Sequence, residues 1–145
     1  MRRSRLLIVL PAVGALVFTG LAPASADPGD RDRKVSAEIV RIVDDARVND
    51  RGRIRVEAVY RCDGNGDKIK TTVTLKQRDA RYEGEVKGGL DCDGDKHRQV
   101  VRLERAGRDR VRNGDAKVTW EYTVRNRSLD KERETVDVRG AGNRK

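Results

Sequence analysis

Two short acidic clusters carry the residue types and spacing of a cation loop built from oxygen ligands. Asp63, Asn65 and Asp67 stand at alternate positions, and so do Asp91, Asp93 and Asp95. This is the one-three-five arrangement in which carboxylate and amide oxygens converge on calcium. Brought side by side, the five carboxylates would repel one another, and a divalent cation would relieve that repulsion. The match stops there. The sixth positions are Lys68 and Lys96, where an EF-hand has glycine, and the twelfth are Thr74 and Arg102, where it has a bidentate Glu. Asp, Asn and Gly are also the residues that tight turns select. The reading favoured is therefore two turns, with calcium held by Asp63, Asp67, Asp91, Asp93 and Asp95 as the alternative.

Hydrolytic chemistry has little to work with. His97 is the only histidine, and Ser36 and Ser128 are the only serines beyond residue 26. No spacing brings a nucleophile to that base. Lys96 and Arg98 beside His97 are expected to disfavour a charged imidazole. A carboxylate-pair glycosidase usually works in an aromatic-lined cleft, whereas the chain has one Trp, and Trp120 sits on the apolar side of an alternating run that predicts core packing. No catalytic residue is assigned.

The cations are more suggestive. Arg53, Arg55, Arg61, Lys68, Lys70, Lys76 and Arg78 fall on the polar side of two alternating runs, with Glu57 as the only acid among them. If the runs pair as a hairpin, like charges face each other across strands and cost stability unless something acidic offsets them. A polyanion would do so, and a merely solvated face is the bland alternative. Nucleic acid is a poor fit, because no aromatic is interleaved with these cations and no binding motif appears. An anionic cell-wall polymer or an acidic surface protein suits better.

The elements that must position these groups begin after an export signal. Arg2, Arg3 and Arg5 precede an apolar run from Leu6 to Phe18, and Ala24-Ser25-Ala26 closes it with small residues. Pro11 interrupts the run, which is shorter than the roughly 20 residues that span a bilayer. The chain is read as secreted and extracellular, without a membrane span once residues 1–26 are removed. Removal of three arginines takes the 33 basic residues to 30 against an unchanged 24 acids, so the formal charge falls from +9 to +6. Cysteines in small exported domains usually pair, so Cys62 and Cys92 are predicted to form a disulfide. They are not spaced as a redox pair and are too few for a structural zinc site.

Residues 27–34 and 140–145 are almost devoid of apolar side chains and predict mobile ends, with a single domain at 35–139. Period-two alternation dominates it. Ile54, Val56, Ala58 and Tyr60 share one face; Ile69, Val73 and Leu75 share another; Ala116, Val118, Trp120, Tyr122 and Val124 share a third. The Asp63-Gly64-Asn65-Gly66-Asp67 segment predicts the hairpin turn between the first two. Shorter runs lie at 80–86, 97–103 and 134–138, and 35–43 is read as a strand although Val35, Ile39 and Ile42 also recur at helical spacing. Seven short strands and turns at regular intervals predict an all-β fold, a seven-stranded antiparallel immunoglobulin-like β-sandwich, with a small β-barrel as the alternative.

The runs VEAVYRC (56–62), VTLKQ (73–77), DCDGDKH (91–97) and NGDAK (113–117), taken in order, resemble an uncharacterised family of small secreted proteins of high-GC Gram-positive bacteria. In that family a strand ending in Tyr-x-Cys precedes a Cys-Asp-Gly-x-x-His segment. The resemblance covers about residues 52–124 and implies a domain of unknown function, with no activity or catalytic residues to carry over. It too implies pairing of Cys62 with Cys92. Arg98 and Gln99 stand after the histidine where the resemblance leads one to expect an aromatic. The expectation is thus a non-catalytic, monomeric module with an anionic partner. Two other expectations are a protease inhibitor acting through the loop Arg105–Arg112 and, with least support, a carboxylate hydrolase.

Overall fold

Alternation at period two dictates the elements, and the computed structural model describes them for residues 34–140. The export signal and most of both predicted end segments lie outside the described residues. Eight strands follow in order: β1 (Ser36–Ile42), β2 (Asp45–Val48), β3 (Ile54–Asp63), β4 (Lys70–Gln77), β5 (Ala80–Lys87), β6 (Asp93–Arg105), β7 (Gly114–Val124) and β8 (Arg127–Arg139). A 3-10 turn at Gly66–Lys68 is the other regular element among the described residues. Residues 35–43 resolve the strand-or-helix ambiguity as strand, with a register shift between Ile39 and Arg41 and a break before β2. Among the described residues, no helix is long and apolar enough to cross a membrane.

Pairing closes the sheet on itself. β3 carries β1 and then β2 along one edge and β6 along the other. From β6 the sheet continues through β5, β4, β7 and β8, and β8 returns to β2 by a parallel pairing of Asp137–Arg139 with Asp45–Arg47. The result is a closed seven-stranded β-barrel, not the immunoglobulin-like sandwich that strand count and turn spacing suggested. Those features cannot separate the two architectures. What decides is that β3 is paired on both edges and that the last strand finds the second, so no pair of separate sheets remains.

The predicted β3–β4 hairpin does not form either. β4 pairs with β5 and β7, and β6 and β5 stand between it and β3 around the ring. Instead of reversing the chain, the Asp63–Asp67 segment lets it cross the barrel end. Asn65 caps the 3-10 turn by accepting from Asp67 N, and Gly66 lies under the next connection, where a Cβ would come within 2.0 Å of Leu90 O. Such a crossing needs the same turn residues as a hairpin.

Inward residues fill the interior. Ile54, Val56, Val73, Leu75, Val101, Leu103, Val118 and Val138 are buried, and the aromatics Tyr60, Tyr82, Trp120 and Tyr122 are buried with them. Trp120 is fully enclosed, as its place in the alternation predicts, with its ring edge-on to Tyr122 at 6.4 Å between centroids. One polar strip crosses the interior: Gln99 Oε1 accepts from Thr71 Oγ1 and from Tyr122 Oη, both at 3.2 Å. Burial pushes the Tyr122 hydroxyl well above the usual phenol range.

Candidate polyanion-binding face

The cysteines lie where two strands must be joined. Cys62 ends the inward run of β3, Cys92 precedes β6, and the two form the predicted disulfide with their Cα atoms 4.5 Å apart. Nearby, Tyr60 Oη accepts from Asp91 N at 3.0 Å, and its ring lies 5.9 Å from that of His97.

His97 behaves contrary to expectation. Its Nε2 meets Asp93 Oδ1 at 2.7 Å, and this hydrogen bond, reinforced by the charges of Asp93, Asp91 and Asp95, raises the imidazole above its ordinary value. Lys96 and Arg98 adjoin it in sequence, but on a strand adjacent side chains point to opposite faces. The same contact lowers the Asp93 carboxyl, helped by the bond from Asp95 N. A raised histidine contributes stability that is complete below its unfolded value of 6.5 and is lost as pH rises through the folded value. A lowered Asp contributes stability present above 3.8 and lost as pH falls through the folded value. The pair therefore helps most between these limits. The gap in melting temperature between the native chain and His97→Gln should be widest between pH 3.8 and 6.5 and narrow as pH rises through the raised imidazole value; a gap independent of pH would refute the contact.

The acidic loops divide their oxygens among turns. Asn65 and Asp93 each accept from the backbone two residues on. Asp63 and Asp93 are cross-strand partners, but among the described residues no group of three or more His, Cys, Asp or Glu side chains is placed to hold a metal ion.

The predicted cations are not one face. Lys70, Lys76 and Arg78 belong to β4 and its turn, Lys68 to the 3-10 turn, and Arg53, Arg55 and Arg61 to the β3 side of the ring. Acids from unforeseen neighbours answer several of them, so Glu57 is not their only counter-charge. Lys70 Nζ lies 2.8 Å from Glu85, and Arg53 Nε lies 3.8 Å from Glu104.

In place of the hairpin, the ring assembles a different row. Arg47 on β2 is the register partner of Arg55 on β3, and Arg55 is the partner of Arg102 on β6. Three exposed arginines are thus side by side across three strands. Further along, Arg61 is the partner of Lys96, and Arg98 reaches Glu57 at 2.9 Å, the same acid that Arg55 approaches at 3.7 Å. Arg47 has Asp45 at 2.9 Å, whereas Arg102 has no ion-pair partner among the described residues. Guanidinium groups bind carboxylate and phosphate in bidentate fashion. Such a row costs stability by repulsion in the free protein. Arg47 and Arg102 were missed from the sequence because β2 is only four residues long and the β3–β6 pairing spans a long stretch of chain.

Arg53 carries the basic surface over the rim into an open depression of about 1920 Å³ at the end of the barrel. The Arg105–Arg112 loop forms one wall of it. Both flanks of this loop are held: Ala106 N and Gly107 N donate to Arg81 O, while Gln77 accepts from Arg112 N at 2.7 Å and donates to Arg112 O at 2.9 Å. Val111 is tucked inward, and Arg108, Asp109 and Arg110 are exposed.

No protein-family model matches the chain, and no curated protein matches it.

Proposed function

We propose that the protein is a secreted, non-catalytic β-barrel that holds an anionic cell-wall or cell-surface partner on the outer β2–β3–β6 face. The observation that carries this reading is the register that makes Arg47, Arg55 and Arg102 direct cross-strand neighbours. A sheet pays for such a row in repulsion that an anion removes, and arginine in place of lysine favours a partner bearing carboxylates or phosphates. The extra-cytoplasmic setting is supported by the disulfide.

Retention on purified wall material tests the reading. Wild type should bind at low salt and be released as salt rises, as exposed charge pairs are screened. The triple variant Arg47→Gln, Arg55→Gln, Arg102→Gln should bind roughly tenfold more weakly or worse, given the strength of charge-assisted hydrogen bonds. A Lys70→Gln, Lys76→Gln variant, altered on the opposite part of the ring where Glu83 and Glu85 adjoin, should bind normally. Equal loss in both variants, or none in the first, would refute the assignment.

A further inference from the structure

We propose that the anionic partner is an extended acidic segment of another protein, held as an added strand along the free edge of β6. The inference rests on the reading of the β2–β3–β6 face given above and narrows its partner from any polyanion to a polypeptide.

β6 is paired with β3 from Asp93 to Leu103. Its other edge meets β5 at only two positions, Tyr82 with Arg105 and Glu83 with Glu104. Beyond them β5 follows β4 as far as Lys87 and leaves β6. Gly84 marks the last contact. A Cβ there would lie 2.8 Å from Arg102 O and equally close to the side chains of Val101 and Leu103, so β5 still covers the Arg102 carbonyl although no further pairing follows. Among the described residues, no strand pairs with this edge of β6 between Lys96 and Val100. An unpaired edge offers a row of N–H and C=O groups to any chain that can lie beside it, and strand addition is a recurrent mode of peptide recognition.

The side chains along this edge define the occupant. Lys96, Arg98, Val100 and Arg102 alternate outward, and Val100, 40% exposed, is the only large hydrophobic side chain exposed among the described residues. A second copy of β6 would set cations against cations, the device by which edge strands repel their own kind. The same pattern complements a segment with Asp or Glu opposite Lys96 and Arg98 and an apolar residue opposite Val100. Main-chain bonds would then supply affinity and alternate side chains the specificity.

The test uses the disulfide-bonded protein and a seven-residue capped peptide of alternating Glu and Thr with a single Val at its third position. A second peptide of the same sequence is N-methylated at alternate backbone nitrogens, which keeps the charge and removes the donors. The expected result is slowed hydrogen exchange at alternate amides between Lys96 and Val100, at least tenfold weaker binding of the methylated peptide, and weaker binding of the parent peptide to the uncharged isostere Val100→Thr. Equal affinity for the two peptides, or no alternate protection, overturns strand addition while leaving the face reading intact if the triple arginine variant still loses wall binding. Failure of both peptide and wall material to bind overturns both. A dimer formed without peptide and abolished by Val100→Lys would assign the edge to a second copy and overturn the proposal.

Discussion

Reduction of the Cys62–Cys92 bridge, or replacement of both cysteines by alanine, is expected to remove about 3–4 kcal/mol of stability, the range the chain-entropy model assigns to a closed loop of this size. Against a whole-domain stability of about 5–15 kcal/mol, that is a large share. Burial is one reason the loss should approach the full figure. Cys62 is 1% exposed and belongs to the core, and a Cβ on Gly66 would lie 3.0 Å from Cys92 Sγ, so the bridge is packed as well as bonded. The other reason is topology, since the bridge ties together two strands whose pairing crosses a long connection. Denaturant titration with and without reductant measures the effect. An unchanged midpoint, with thiol titration proving that the bridge had opened, would show that the β3–β6 ladder holds without it.

Trp120→Ala should be comparably severe, at about 3–5 kcal/mol. The ring is fully enclosed, at the centre of an interior otherwise made mostly of small aliphatic side chains. Its neighbours would have to collapse into a space that strands cannot easily follow. Trp120→Phe should cost less. It restores most of the volume and removes Nε1, a buried donor without a hydrogen-bond partner among the described residues, so its loss leaves no acceptor stranded. Guanidinium unfolding followed by circular dichroism compares the three chains. A Trp120→Ala loss below about 1 kcal/mol would mean that the barrel centre repacks freely.

What could be read from the residues was local. Alternation located the inward faces of β3, β4 and β7 and put Trp120 in the core, because side-chain period follows from backbone geometry alone. Partnership was not local. The Asp63–Asp67 segment has every attribute of a hairpin turn, yet it connects strands on different parts of the ring, since glycine and asparagine serve a crossing as well as a reversal. From that error followed the misplaced basic face. Lys70 and Arg53 seemed unanswered because Glu85 and Glu104 arrive from strands whose neighbours are set only when the ring closes. His97 was misjudged for a related reason: its flanking cations are near in sequence, while Asp93 is the residue its ring meets.

Closure through β2 and β8 also orders the pairings by their separation along the chain. The parallel pair Asp45–Asp137 joins nearly the first described strand to the last, and contacts between such distant residues are the slowest to form. β3 and β6, by contrast, lie closer together along the chain and are tied by the sulfur bridge. The ring therefore has one long-range seam, three residues long, and the β2 margin has no other partner on that side until β8 arrives to seal it.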